Sequence, residues 1–109
     1  MYTTFMPKKI LSEREVELLQ LLYSEITGRE VAKAYRAKYG RAISYGTLYT
    51  TLRRMAENGL VEITREDVDQ DGRFRYYRIL GAGTASLAAT HERLRERLSL
   101  FPVKGRTTG

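Results

Sequence analysis

Three features of this sequence predict a small α+β domain, built from three short helices, a two-stranded antiparallel ribbon and a closing helix. Between Ser12 and Asn58, apolar residues recur at three- and four-residue steps in three blocks set off by capping residues and glycines. At Val61 the period drops to two, and it stays at two on either side of a polar stretch, Asp67–Gly72. Beyond Gly81 and Gly83 the helical period returns in Leu87, His91, Leu94 and Leu98.

The first helix is expected over Ser12–Ser24. Ser12 and Glu15 have the spacing of a capping box, in which each side chain satisfies a free amide of the first turn. Leu11 and Val16 are spaced as a hydrophobic staple, and Leu18, Leu19, Leu22 and Tyr23 continue the apolar face. The second helix is expected from about Gly28 to Tyr39, with Thr27 and Glu30 as a second capping box and Gly40 as a left-handed stop. Val31, Ala34, Tyr35 and the stem of Lys38 share its inner side.

The third helix is the best marked. Ser44 caps it, Tyr45–Asn58 fills it, and Gly59 with Leu60 fits a Schellman ending. Leu48, Leu52 and Met55 form its inward stripe, leaving Arg53 and Arg54 largely outside. In the ribbon, Val61, Ile63 and Arg65 alternate with Glu62, Thr64 and Glu66, and Arg73–Leu80 returns after a loop longer than a tight turn. Phe74 and Tyr76 fall on one face of that return strand, with Arg73, Arg75, Tyr77 and Ile79 on the other. Which face packs is open at this level. The last helix is expected from about Thr84 to Leu98, and Pro102–Gly109 reads as loose.

At 109 residues and 12.6 kDa the chain has the length of one domain. It carries 19 Lys and Arg against 13 Asp and Glu, a net charge of +6, which suits a polyanionic partner without proving one. With no cysteine, disulfides and thiolate metal sites are ruled out. No apolar run reaches membrane-spanning length, and Met1–Lys9 is too short and polar for a signal peptide, so a cytoplasmic protein is expected.

Three helices followed by a ribbon is the order of a winged helix-turn-helix. A helix fits the major groove of B-DNA, where base edges are distinguishable, and a ribbon can reach phosphates or the adjoining minor groove. The third helix is the candidate reader. Its opening run, Ser44, Tyr45, Gly46, Thr47, Leu48 and Tyr49, gathers hydroxyls, phenols and a glycine at a helix N-terminus, whose amides can also face phosphate. Gly46 would permit close approach, or is merely tolerated in the first turn. Tyr49 can be a groove contact or a core-edge aromatic. Arg41 precedes the reader as a candidate phosphate contact, with Arg53 and Arg54 later in it. Helix-surface arginines are usually solvated charges, and that is the alternative for Arg53 and Arg54. Arg73 and Arg75 are the ribbon's candidates; Arg78 lies further down.

These residues carry a family resemblance. The runs Ser44-Tyr45-Gly46-Thr47-Leu48-Tyr49, Leu52 with Met55, Asn58-Gly59-Leu60-Val61 and Gly72-Arg73-Phe74-Arg75-Tyr76-Tyr77-Arg78-Ile79, followed by Ala82-Gly83, look like a PadR-type transcriptional regulator of the short form. The resemblance implies a homodimeric repressor on a near-palindromic operator. It places DNA contacts on Ser44, Gly46, Thr47 and Tyr49, and on Gly72, Arg73 and Arg75 in the wing. It also implies that the last helix pairs with a second subunit through Leu87, His91, Leu94 and Leu98, helped by the first helix and by Phe5 in the N-terminal tail. Some relatives hold a small aromatic or cationic effector between subunits. Tyr2, Phe5, Tyr23, Tyr35 and Phe101 could line such a pocket here, or could instead pack the core and interface. Two departures stand out. Leu80 replaces a threonine that commonly helps cap the following helix, and Phe74 replaces a proline between the wing arginines.

The resulting layout is an N-terminal arm (1–11), a DNA-binding domain (12–80), a dimerisation helix (81–100) and a tail (101–109). We expect no catalysis, no cofactor and no metal, because His91 is the one histidine and no acid–base set or phosphate loop accompanies it. The competing readings are a winged helix that binds protein through the same face, and an architectural protein that binds phosphates without sequence preference.

Overall fold

The computed structural model describes residues 10–70 and 72–100. Four helices and three strands follow in the order α1 (Glu13–Leu19), β1 (Ile26–Thr27), α2 (Gly28–Tyr39), α3 (Tyr45–Glu57), β2 (Val61–Asp69), β3 (Gly72–Ile79) and α4 (Gly81–Ser99). The strands form one antiparallel sheet in the order β1-β3-β2.

Both capping boxes are present. The Ser12 amide donates to Glu15 Oε1 at 2.9 Å and the Glu15 amide to Ser12 Oγ at 3.2 Å. At α2 the Thr27 amide donates to Glu30 Oε1 at 3.0 Å and the Glu30 amide returns to Thr27 Oγ1 at 3.1 Å. Gly40 ends α2 at φ 73°. At the end of α3 the Leu60 amide donates to the Met55 carbonyl and the Gly59 amide to the Ala56 carbonyl, with Gly59 at φ 74°. Those two bonds make the Schellman ending.

Four expectations are corrected. First, α1 stops at Leu19 rather than Ser24. The chain leaves the helix early because Ile26–Thr27 is needed as an edge strand on β3, pairing with Tyr77 and Tyr76, and the Ile79 amide donates to the Leu22 carbonyl at 2.8 Å. Second, the ribbon is longer and its connection shorter than the polar stretch suggests. β2 runs to Asp69 and pairs there with Gly72, whose φ is 117°. Third, the alternation in β2 breaks at a bulge between Ile63 and Arg65, where Thr64 is the extra residue. Beyond it Glu66, not Arg65, shares a face with Ile63 and Tyr77. Fourth, α4 starts at Gly81 rather than Thr84. Gly83 is buried there, and a Cβ on it would run into the Leu60 carbonyl oxygen. Its missing side chain lets the helix approach the sheet closely. The Leu80 departure has a visible consequence: no side chain caps α4.

The core lies between α1, α2, α3 and the base of the sheet. Leu18, Leu22, Val31, Tyr35, Leu48, Leu52, Met55 and Val61 are fully buried in it. Lys38 is exposed, with its ammonium 5.7 Å from the centre of the Tyr39 ring. The N-terminal half of α4 joins through Ser86 and Leu87, and the Leu11 amide donates to Thr90 Oγ1 at 2.9 Å. From His91 onward every described residue of α4 is exposed.

Candidate nucleic-acid interface

The Ser44 hydroxyl holds the start of α3. It accepts from the Thr47 amide at 3.1 Å and donates to Thr47 Oγ1 at 3.0 Å. Ser44, Tyr45, Gly46 and Thr47 are all exposed, because Leu48, Thr51, Leu52 and Met55 use the opposite side of the helix for burial. A Cβ at Gly46 would meet nothing within 4 Å, so this glycine is not required by packing inside the subunit. A shallow depression of about 500 Å³ runs along this surface, lined by Ser44, Gly46, Thr47, Thr50, Thr51 and Arg54. Thr50 belongs to the patch although the sequence reading did not single it out. Its place one turn after Thr47 was the available signal.

Tyr45 and Tyr49 stack with ring centroids 6.0 Å apart. Tyr49 keeps 41% of its surface exposed while its ring lies against Gly28, where a Cβ would collide with it. It is therefore at once a core-edge residue and a surface residue. Burial pushes its phenol above the ordinary range, so it remains a neutral donor at neutral pH.

A groove of about 420 Å³ separates α3 from the hairpin, lined by Tyr49, Arg53, Ala56, Glu57, Ile63, Arg75 and Tyr77. The packing face of the return strand is thereby settled. Tyr77 goes into the core, and Arg75, two residues away, stays on the same face and opens into the groove. The helix and the ribbon present their arginines to one continuous surface. Arg73 follows at the outer end by the same parity.

Both wing arginines have an acidic neighbour. Glu66 accepts from Arg75 Nε at 2.9 Å and lies 3.5 Å from Arg73 Nε. The Arg75 bond, with the charges of both arginines, holds the Glu66 carboxyl below its ordinary value. The outer face of the hairpin is occupied separately. Arg29 lies over the Phe74 ring at 5.3 Å, Arg65 over the Tyr76 ring at 3.8 Å, and Arg78 pairs with Glu62 at 2.7 Å. Arg29, Thr50, Ala56, Glu57, Ile63 and Glu66 are site neighbours that the sequence did not single out. The bulge hid the face of Glu66.

Arg41 sits elsewhere. Its guanidinium bonds to Glu17 and lies over the Tyr35 and Tyr39 rings, tying the turn before α3 to α1. Arg53 and Arg54 are exposed and Gly72 lies at the wing end of β3.

On the far side, a second groove of about 430 Å³ between α1 and α4 is lined by Ile10, Leu11, Val16, Thr90, His91 and Leu94, among others. Leu87 is half-buried against the core, while His91, Leu94 and Leu98 are exposed. Phe5 lies outside the described residues, as do Tyr2 and Phe101. Tyr35 does not face any such groove: it is buried in the core with its hydroxyl on Glu17. Tyr23 is 78% exposed, so the two described aromatics of the expected effector pocket do not converge. Among the described residues no group of three metal-ligating side chains comes together, and no helix is long and apolar enough to cross a membrane.

Comparison with known proteins gives one family and one fold. Residues 18–89 match the transcriptional regulator PadR-like family. The structure resembles that of a PadR family transcriptional regulator from Eggerthella lenta DSM 2243, with a TM-score of 0.69 and 23% identity over 79% of this chain and 75% of that one. A transcriptional regulator from Clostridium thermocellum matches with a TM-score of 0.67 and 24% identity, covering 82% of this chain and 92% of its own. A PadR family transcription regulator from Clostridium difficile R20291 matches with a TM-score of 0.65 and 22% identity over 79% and 91% of the two chains. No curated protein matches the sequence closely.

Proposed function

This chain belongs to the transcriptional regulator PadR-like family and is a DNA-binding transcriptional regulator, and from that premise we propose that it acts in the cytoplasm as a homodimeric repressor on a near-palindromic operator. In this reading the start of α3 enters the major groove. Ser44, Gly46 and Thr47 approach the duplex, Tyr45 and Tyr49 offer phenol donors, and Arg53 and Arg54 meet flanking phosphates. The wing, through Gly72, Arg73 and Arg75, lies along the neighbouring backbone or minor groove. Arg41 serves mainly to fix the turn that aims α3, since its guanidinium is already committed to Glu17.

The observation that carries this reading is the shared groove. Tyr49 and Arg53 of the helix and Arg75 of the ribbon line one surface, so a single duplex can touch both elements at once. A second copy of the chain would pair through the bare half of α4, covering Leu94 and Leu98. An aromatic effector, in this reading, enters at the α1–α4 groove and not beside Tyr35.

The test is a titration of random-sequence duplex DNA at several salt concentrations. Wild-type protein binds, with log affinity falling linearly against log salt. Replacing Arg73 and Arg75 by alanine flattens the slope by about 0.9 for each phosphate that is no longer neutralised. An unchanged slope would remove both arginines from the interface.

A further inference from the structure

The two strands of the hairpin carry four acidic residues, Glu62, Glu66, Asp67 and Asp69, and four basic ones, Arg65, Arg73, Arg75 and Arg78. The wing strands therefore carry no net positive charge. The bulge at Thr64 sorts these groups unevenly. Glu62 before it, and Asp67 and Asp69 beyond it, stand opposite Arg78, Phe74 and Gly72 on the outer face, while Glu66 stands opposite Arg75 on the face that looks toward α3. Among the described residues, Glu66 is the one acidic side chain of the hairpin on that face. It lies within reach of both arginines there, at 2.9 Å from Arg75 Nε and 3.5 Å from Arg73 Nε.

We propose that Glu66 is a specificity-determining residue: it acts as an internal counter-anion that the DNA backbone must displace before Arg73 and Arg75 can bind phosphate. The inference rests on the DNA-binding reading above and deepens it. A phosphate arriving at either guanidinium exchanges one anion for another, so the gain is smaller than for a free arginine. The displaced carboxylate stays close to the duplex and repels it. Non-specific binding rests almost wholly on phosphate contacts, so both effects lower it in full. On the operator the base contacts of α3 fix the wing in one register, where the carboxylate swings clear of the duplex and the cost is smaller, so the ratio of operator to random binding rises. All three side chains are at least 40% exposed, so the pair itself adds little to stability and is free to open.

The experiment compares wild type, Glu66→Gln and Glu62→Gln on random duplex and on an operator, taken as the duplex most enriched by wild-type protein from a random pool, across a salt series. Glu62→Gln removes the same charge from the outer face, where Glu62 pairs with Arg78. The expected result is that Glu66→Gln tightens random-duplex binding about three- to tenfold and steepens its salt slope by about one. Operator binding tightens less, so discrimination falls, and Glu62→Gln stays close to wild type. If Glu66→Gln binds both duplexes as wild type does, or if Glu62→Gln matches it, the proposal is overturned while the DNA-binding reading stands. Wild-type protein that binds no duplex overturns both.

Discussion

The Tyr35 hydroxyl donates to the Glu17 carboxylate at 2.5 Å, joining the middle of α2 to α1 inside the core. The other carboxylate oxygen takes the Arg41 guanidinium, and the Tyr39 hydroxyl donates to the Glu17 carbonyl at 3.1 Å. Burial pushes the Glu17 carboxyl up, but the bonds from Tyr35 and Arg41 and the charges of Arg41 and Arg14 outweigh it and leave the group below its ordinary 4.5. One acidic residue therefore sets the end of α2 and the turn that leads into α3.

This arrangement makes stability depend on acid. With its folded value lowered, Glu17 binds fewer protons in the native state than in the unfolded chain. Its contribution is complete above about pH 4.5 and is lost as pH falls through the folded value. Tyr35→Phe removes one bond to a buried acceptor and is expected to cost about 1 kcal/mol, or about 5 °C in Tm, at neutral pH. The acid limb of its stability curve should be shallower than that of wild type. Urea midpoints across an acid pH series measure both, and an identical acid limb in the two proteins would mean that Glu17 is not the group responsible.

Two glycines should respond oppositely to alanine. At Gly83 the new methyl faces the Leu60 carbonyl, which is held by the Leu80 amide, so the backbone must shift at a cost of about 1–3 kcal/mol. At Gly46 the space is open, and alanine should stabilise α3 by about 0.5 kcal/mol. If DNA approaches there, the same Gly46→Ala protein melts higher yet binds its operator more weakly. Thermal melts beside binding titrations separate the effects; higher Tm with unchanged affinity would show that the duplex does not come close to residue 46.

Sequence discrimination should sit at the start of α3. Replacing Thr47 and Tyr49 together by alanine is expected to reduce the ratio of operator to random affinity by about tenfold or more while leaving helical content intact. Circular dichroism monitors the fold and competition binding the ratio. Equal losses on both duplexes would count against base reading by these residues.

The bare half of α4 supplies another expectation. Leu94 is 52% exposed and Leu98 61% in the single subunit, so an aspartate at Leu94 costs the monomer little. It should nevertheless halve the sedimenting mass by breaking the pair of subunits. Unchanged mass in Leu94→Asp would remove this face from any dimer.

Much of the fold could be read in the residues because its boundaries are made by local chemistry. Ser12, Thr27 and Ser44 cap helices through their own hydroxyls, and Gly40 and Gly59 end them in the left-handed region. What escaped depended on partners distant in the chain. Ile26–Thr27 is too short to show a period and exists only because β3 lies beside it. Gly83 looked like a breaker because its reason is the Leu60 carbonyl, far back in sequence. The bulge at Thr64 changes which charges face α3, so the role of Glu66 could not be assigned from alternation. In the site, the exposed positions Ser44 to Thr47 were legible from the apolar stripe opposite them. The commitment of Arg41 to Glu17 was not, since the two lie 24 residues apart.

The most direct test of a duplex bridging α3 and the wing is selection of bound sequences from a random double-stranded pool by the purified protein. An enriched inverted repeat is predicted, with half-site centres about 34 Å apart or a multiple of that turn, and with enrichment lost in the Thr47→Ala, Tyr49→Ala protein. A bound pool that keeps the composition of the starting pool would contradict the account and leave a protein that recognises phosphates alone.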